Sequence, residues 1–233
     1  MKSHILSKSI GLQHPNVRKV IEIANQIMAK NKILNIETLY NIAKKQLKIP
    51  RNGLLSIIHL LINKKILVEG SKFSRKTVLS NQIRQRIYKF IVMNPAIHFS
   101  YIRSMGLNKE QISSGQLIWH LEMLVKFNYI KKIKVGNYSV FLPFTMEDNF
   151  GELIFVMRNP INYKILKFLS ENKSSLSSEI YKTINEKRED VYYRINYLKD
   201  KEIIIATVNS EVEITINPNK QSFISEILDT LKI

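Results

Sequence analysis

The sequence lacks the features of several large classes of protein. None of its 233 residues is a cysteine, which excludes disulfide bonds, thiolate zinc sites and cysteine nucleophiles, and suits a reducing cytosol. Its seven glycines are scattered and form no phosphate-binding loop. The longest nearly apolar run, 53–62, has about half the roughly 20 residues that a membrane-spanning helix needs, so we expect no membrane insertion.

Catalytic and metal-binding patterns are missing as well. The five histidines have no spacing suited to a shared metal ion, and the acidic pairs 147–148 and 189–190 would diverge on a helix. Residues 1–14 are basic but contain no apolar segment of about 7–15 residues, so we expect no signal peptide. We therefore predict a protein without catalytic residues, cofactor or metal, located in the cytoplasm and associated with the nucleoid.

Acidic side chains are few, and the resulting positive charge is uneven. The chain has 36 Lys and Arg against 19 Asp and Glu, a formal net charge of +17. Residues 1–79 carry 15 basic and 3 acidic side chains, residues 80–146 carry 9 and 2, and residues 147–233 carry 12 and 14. This asymmetry favours binding of a polyanion by the first two segments and another role for the third. The alternative is a charged surface that serves solubility in the protein of an AT-biased genome.

One apolar pattern occurs three times along the chain. In each copy, two apolar residues three positions apart lie on one face of a helix, and a third, six positions further, begins a strand. The copies are separated by 63 and 74 residues and consist of Ile58, Leu61 and Leu67; Leu121, Leu124 and Ile130; and Ile195, Leu198 and Ile204. We interpret them as one supersecondary unit used three times, with domains at 1–79, 80–146 and 147–233.

The elements around each copy follow a common order. Helical patterns precede the copies at 15–29, 36–47, 82–93, 100–105, 160–170 and 177–184. Hairpins are predicted at 130–143 around Gly136-Asn137 and at 203–216 around Asn209-Ser210, with short strands at 66–68 and 97–99. The first unit has a longer basic loop at 69–77. The predicted class is mainly α with small β (α+β), arranged as three tandem winged helix-turn-helix domains.

The middle unit carries a family resemblance, in RIYKFIVMNPAIHFSYIRSMGL at 86–107 and SSGQLIWHLEMLVKFNYIKKIKVGNYSVFLP at 113–143. It resembles the tandem winged-helix transcriptional regulators of archaea, related to the ArsR/MarR-like group. The chain keeps the family's Asn-Pro at 94–95, its His-Phe at 98–99, its glycine at Gly115 and its His-Leu at 120–121. It departs from the family in having Ala96 in place of glycine, Trp119 in place of tyrosine, and Asn-Tyr at 128–129 in place of Gly-Leu. The resemblance implies sequence-specific binding of double-stranded DNA, usually as a homodimer.

The segment ISSGQLIWHLEML, 112–124, is the predicted recognition helix of the middle unit. A helix N-terminus offers unpaired N–H groups and a partial positive charge, and its first side chains can contact base edges in the major groove. Trp119 is expected in the core, with stacking on sugar or support of the wing as the alternatives. The alternative for Ser113 is that it only caps the helix. The predicted DNA contacts are Ser113, Ser114, Gln116 and His120.

The repeat offsets place corresponding sites in the other two units. Subtracting 63 from the residue numbers of the middle unit's helix tip gives a basic tip in the first unit, 50–53. Basic side chains also lie in the loop of the first unit and in the wing of the middle unit. Adding 74 gives the tip 187–190, which has the sequence KRED and would turn two carboxylates toward phosphate. Glu211 and Glu213 lie in the third wing, so we expect the third unit to bind DNA weakly or not at all. The further predicted DNA contacts are Arg51, Asn52, Ser56, Lys72, Arg75, Lys76, Lys131, Lys132 and Lys134.

The last predicted helix, 221–231, has an apolar stripe. The stripe either mediates dimerisation or contact with a protein partner of segment 147–233, or it covers the core of its own domain. Its residues are Phe223, Ile224, Ile227, Leu228 and Leu231.

The predicted function is that of a DNA-binding transcriptional regulator. The first two units would contact DNA through recognition helices and basic wings, and the third would contact protein. The alternative is a winged-helix protein-interaction scaffold, similar to subunits of the membrane-remodelling ESCRT-II complex or to RNA polymerase accessory subunits. The charge at the helix tips and wings discriminates between the two functions, because a scaffold predicts recognition helices with neutral or acidic tips.

Overall fold

The computed structural model describes residues 11–30, 32–107, 112–208 and 212–230. It is a largely helical α+β winged-helix structure with two small antiparallel sheets. The chain divides into two compact units. The first comprises the chain up to Met93 together with Ser100–Lys131, and the second comprises Asn94–Phe99 together with the chain from Lys132 onward. The three domain boundaries given above stay a prediction.

Three helices open the first compact unit, close to the predicted ranges: α1 (Pro15–Ala29), α2 (Ile36–Gln46) and α3 (Arg51–Asn63). Side-chain caps explain where the first two begin. His14 Nδ1 accepts a hydrogen bond from the Asn16 N–H at 3.2 Å, and Asn35 Oδ1 accepts one from the Thr38 N–H at 2.8 Å. Their apolar faces meet in one core that includes Val17, Val20, Leu39, Leu54, Ile58 and Leu61.

The expected strand at 66–68 and wing at 69–77 are wrong for this structure. No strand lies within 32–96, which the structure describes throughout, and the short helix α4 (Arg75–Val78) stands where the wing was expected. After residue 68 the backbone pairs with Leu34, which donates to Ser71 O and accepts from the Gly70 N–H, both at 2.9 Å, and the Arg75 N–H then donates to Ile66 O at 2.9 Å. Val78 and Phe127 belong to one buried cluster, and Phe73 packs against it. Apolar burial therefore holds this segment against the protein, whereas a wing would extend into solvent.

The middle segment matches its prediction closely. It contains α5 (Gln82–Met93), β1 (Ile97–His98), α7 (Ser114–Lys126), β2 (Ile130–Val135) and β3 (Tyr138–Pro143). The predicted helix at 100–105 is divided into α6 (Phe99–Tyr101) and a π-helical turn (Ile102–Gly106). The first sheet has the order β1–β3–β2, with Ile97 opposite Phe141.

The ends of α3, α7 and a later helix, α11 (Arg188–Asp200), repeat one geometry. Lys65, Asn128 and Glu202 are left-handed, with φ of 53°, 54° and 53°. In each case the next N–H bonds a carbonyl five residues back: Ile66 to Leu61 at 2.9 Å, Tyr129 to Leu124 at 3.0 Å and Ile203 to Leu198 at 2.9 Å. These positions are separated by the offsets of the sequence repeat, so the repeated pattern corresponds to a repeated helix end.

The second compact unit contains the remaining elements. They are α8 (Asp148–Met157), α9 (Pro160–Asn172), β4 (Ser174–Leu176), α10 (Ser177–Thr183), α11, β5 (Ile204–Val208), β6 (Val212–Ile216) and α12 (Pro218–Thr230). Its sheet has the order β4–β6–β5, with Ile204 opposite Ile216. The hairpin formed by β5 and β6 confirms the prediction, although the predicted turn at 209–210 and Glu211 lie outside the described residues. Helix α8 and strand β4 were not predicted.

The apolar stripe of α12 faces the core of its own unit. Ile224 and Ile227 are fully buried, and Phe223 and Leu228 pack against the same core. Leu231 lies outside the described residues. The interpretation of this stripe as a dimerisation surface is therefore corrected, because its side chains are used in covering α8 and α9.

Candidate nucleic-acid interface

The N-terminus of α7 is held by reciprocal hydrogen bonds. Ser113 Oγ accepts from the Gln116 N–H at 3.2 Å, and the Ser113 N–H donates to Gln116 Oε1 at 2.9 Å. This capping box fixes the first turn and confirms that Ser113 caps the helix. Ser113 and Gln116 are exposed and Ser114 is half-buried, so the tip presents two of the four predicted contact residues to solvent.

The exposed and buried faces of α7 are sharply divided. Leu117, His120, Leu121 and Leu124 are buried, whereas Gly115, Ile118, Trp119 and Glu122 are exposed. His120, the fourth predicted contact, is only 6 % exposed, and its ring lies edge-to-face against that of Trp119 with the centroids 5.0 Å apart. Trp119 is 46 % exposed, so the expectation that it lies in the core is wrong.

A buried arginine from α5 lies beneath this face. Arg84 is 2 % exposed, and its Nε donates to Val78 O at 2.7 Å. Its guanidinium carbon lies 4.9 Å from the ring centroid of Phe73 and 5.0 Å from that of Trp119, within the range of cation–π attraction. Arg84 was missed in the sequence, although its spacing with Ile87 and Ile91 puts it on the buried face of α5.

The charge of Arg84 affects its neighbour His120. Burial, and then the charge of Arg84, lower the pKa of His120 from its ordinary value of 6.5. Its Nδ1 has no hydrogen-bond partner among the described residues. A neutral imidazole is the form that suits a buried site next to a cation.

Helix α3 presents a second exposed tip in the same compact unit. Arg51, Asn52 and Ser56 are all exposed, as predicted for contact residues. The Ser56 hydroxyl donates to Asn52 O at 2.8 Å. The buried positions of α3, Leu54, Ile57, Ile58 and Leu61, correspond to those of α7 at the offset of 63. The two helices therefore have matching buried faces, and the exposed face of α3 is polar.

The basic residues of the segment 72–76 have different surroundings. Lys72 and Lys76 are exposed, whereas Arg75 is half-buried. The guanidinium of Arg75 lies 5.1 Å from the Tyr129 ring centroid, and the Tyr129 hydroxyl donates to Arg75 O at 2.7 Å. Arg75 therefore holds α4 against the segment that follows α7, a contact that the predicted wing did not include.

The middle hairpin carries the remaining predicted contacts. Lys132 and Lys134 are exposed and Lys131 is half-buried. Lys134 Nζ donates to Asn137 O at 3.1 Å across the turn that joins β2 and β3. The side chains at 132 and 134 point to the same face of the strand, as alternate residues do.

Helix α11 presents a surface of different chemistry. Lys187, Arg188, Glu189 and Asp190 are exposed at its N-terminus. Tyr193 is 64 % exposed, and the guanidinium of Arg194 lies 5.2 Å from its ring centroid. Carboxylates beside the helix N-terminus suit the helix dipole, but they oppose a phosphate backbone.

Two kinds of structural feature are absent from the described residues. No helix in the described ranges is long and apolar enough to cross a membrane. No group of three or more His, Asp or Glu side chains among the same residues is arranged to hold a metal ion.

Comparison with known proteins finds one relative whose name describes a regulator. The chain is 30 % identical over 152 residues to a protein of Methanocaldococcus jannaschii named an uncharacterized HTH-type transcriptional regulator. The match covers 64 % of this chain and 37 % of the relative, so the chain spans well under half of that protein. No protein-family model matches the sequence.

Proposed function

We propose that the protein is a DNA-binding transcriptional regulator that contacts double-stranded DNA through α3, α7 and exposed basic side chains. The carrying observation is the exposed N-terminal tip of α7, ordered by the capping box of Ser113 and Gln116. It lies in a segment with 9 basic and 2 acidic side chains, which follows one with 15 and 3. The similarity to a protein named a transcriptional regulator supports the same conclusion.

The proposed contacts divide into two kinds. The N-termini of α3 and α7 would enter the major groove, where Asn52 can pair with adenine. Gln116 uses its Oε1 in the capping box and would donate from its Nε2 to a base-edge acceptor. The exposed lysines 72, 76, 132 and 134 would contact phosphates, which contribute affinity without sequence preference. His120 is left out of the direct contacts because its side chain is buried. Arg75 is left out because it already contacts Tyr129.

Fluorescence anisotropy with the full chain tests this proposal. A labelled duplex from upstream of the protein's own gene is titrated at several salt concentrations beside a scrambled duplex of equal composition. A regulator binds the native duplex more tightly, with affinity that falls steeply as salt rises. Equal affinity for both duplexes would replace the regulator with an architectural DNA-binding protein. Absence of binding at low salt would overturn the DNA proposal and favour the protein-interaction scaffold.

A second role is proposed for α11. Tyrosine and arginine are enriched in protein interfaces, and α11 exposes Tyr193 beside Arg194 while carrying Glu189 and Asp190 at its tip. This composition favours contact with protein over contact with DNA. A Tyr193→Ala variant would keep its affinity for DNA and lose association with a second copy or a partner, measured by sedimentation. Loss of DNA affinity in that variant would instead place α11 on DNA.

A further inference from the structure

The centre of the exposed face of α7 is apolar. Ile118 and Trp119 are each 46 % exposed and lie side by side on the second turn, one turn beyond Gly115. Exposure of large apolar side chains to water is unfavourable, and α7 places two of them next to each other at the part of the helix that would enter a groove. A recognition helix that relied only on hydrogen bonds and phosphate contacts would not need them.

Gly115 has no side chain that would cover Ile118 and Trp119 on the side of the helix N-terminus. A Cβ at Gly115 would come no closer than 3.9 Å to any neighbour, the Ser113 Oγ, so the packing of the protein has room for a side chain there. Glycine within a helix is less stable than alanine. Its effect here is to leave bare backbone in front of Ile118 and Trp119, where a ligand surface can approach closely.

Trp119 is held in place by the groups beneath it. The Arg84 guanidinium lies 5.0 Å from its ring centroid and is itself fixed by the hydrogen bond to Val78 O. A side chain that is already ordered loses little conformational freedom on binding. The exposed part of the indole is therefore prepared for contact with a ligand of matching shape.

The apolar feature that DNA offers in the major groove is the 5-methyl group of thymine. We infer that α7 recognises thymine methyl groups through Ile118 and Trp119, so that its target contains thymine where the second turn of the helix meets the groove. The inference rests on the proposed function. Charge complementarity favours DNA as the occupant, because residues 80–146 carry 9 basic and 2 acidic side chains. Glu122, one turn further along this face, can accept a hydrogen bond from cytosine N4.

Helix α3 provides an internal contrast. The positions that correspond to Gly115, Ile118 and Trp119 are occupied by Asn52, Leu55 and Ser56. Asn52 and Ser56 are exposed and polar, and Leu55 is half-buried. Methyl recognition is thus expected from α7 and not from α3, which makes Ser56→Ala the matched control for substitutions in α7.

Duplexes that differ only in the methyl group test the inference. The full chain is titrated with labelled duplexes of alternating dA and dT, and of alternating dA and dU, which lacks the 5-methyl. The thymine duplex is expected to bind more tightly by about fourfold per contacted methyl, the fold-change that follows from burying one methyl-sized group. A second pair, cytosine against 5-methylcytosine in a G·C duplex, should show a preference of the same sign.

Substitutions in α7 test whether the preference for thymine over uracil arises from this helix. Ile118→Ala and Trp119→Ala should bring the ratio of the two affinities toward one, because they weaken binding of the thymine duplex more than binding of the uracil duplex. Ser56→Ala should change both affinities by the same factor and leave the ratio unchanged. Circular dichroism verifies that each variant is folded, and Ile118→Ala serves alone if Trp119→Ala is not. Equal binding of both duplexes by the wild type, or an unchanged ratio in Ile118→Ala, overturns this inference alone. Binding to neither duplex at low salt overturns the proposed function together with it.

Discussion

The guanidinium carbon of Arg84 lies 5.0 Å from the ring centroid of Trp119. This contact connects the buried face of α5 to the exposed face of α7. Arg84 Nε bonds Val78 O, but its Nη1 has no hydrogen-bond partner among the described residues. The aromatic rings of Phe73 and Trp119 therefore provide much of the stabilisation of this buried cation.

The first prediction concerns Arg84. Arg84→Ala should lower the free energy of unfolding by about 2–4 kcal/mol, because it removes a buried side chain, the bond to Val78 and both ring contacts. Trp119 is the only tryptophan in the chain, so its emission reports the loss of this contact directly. Urea unfolding followed by tryptophan fluorescence measures both effects.

A substitution of similar volume separates packing from charge. Arg84→Met should unfold near the wild-type midpoint, since replacing a buried charge by an apolar group of similar size is often nearly neutral. It should nevertheless shift Trp119 emission, because the cation is lost. Wild-type stability in Arg84→Ala would show that the ring contacts contribute little.

The second prediction concerns pH and His120. Because burial and the charge of Arg84 lower its pKa below 6.5, the folded protein binds fewer protons than the unfolded chain between the two pKa values. Stability should therefore decrease as pH falls through that window, and His120→Gln should reduce this decrease. Urea midpoints at neutral and mildly acidic pH provide the measurement. His59→Gln, at an exposed position of α3, is the control and should keep the wild-type difference.

Much of the fold follows from local sequence patterns. The ranges 15–29 and 82–93 were predicted as they stand, and so were both strands of the middle hairpin, because helical and alternating periodicity are properties of a few consecutive residues. The wing of the first unit was inferred from the repeat and from the basic loop at 69–77. The structure has α4 there instead, and Phe73 packs against the cluster of Val68, Val78 and Phe127, which joins residues far apart in the sequence and is contained in no local pattern.

The candidate site shows where residue type misleads. Trp119 was expected in the core and His120 among the DNA contacts, and the structure has the opposite arrangement. Helical spacing favours the observed one, because His120 is in register with Leu117, Leu121 and Leu124. The tip of α3, in contrast, was located from the repeat offset, and α3 begins there with the Arg51 side chain exposed.

The third prediction concerns the basic side chains of the segment 72–76, which differ in whether they already contact another residue of the protein. Lys72 and Lys76 are exposed, so replacing both with alanine should reduce the slope of log affinity against log salt by about 2, close to one unit per phosphate contact. Arg75→Ala should leave that slope nearly unchanged and lower the free energy of unfolding by about 1–2 kcal/mol, because it loses the contact with Tyr129. An unchanged slope in the double variant would show that these lysines do not contact phosphate.

The fourth prediction is that stability and DNA affinity change in opposite directions at Gly115. Gly115→Ala should raise the free energy of unfolding by up to about 1 kcal/mol, because a Cβ there meets nothing closer than 3.9 Å and alanine favours the helix. The same methyl group would stand in front of Ile118 and Trp119 and should weaken binding to the thymine duplex.

Gly106→Ala is the matched glycine substitution for that experiment. Its Cβ would lie 2.7 Å from Phe90 Cδ1, so this variant should lose about 1–3 kcal/mol of stability through overpacking. Thermal unfolding and anisotropy titration of both variants give the two quantities. A Gly115→Ala protein that is more stable and binds the thymine duplex as tightly as wild type would mean that this tip does not closely approach DNA. A variant that is less stable would mean that the space beside Gly115 is needed within the protein itself.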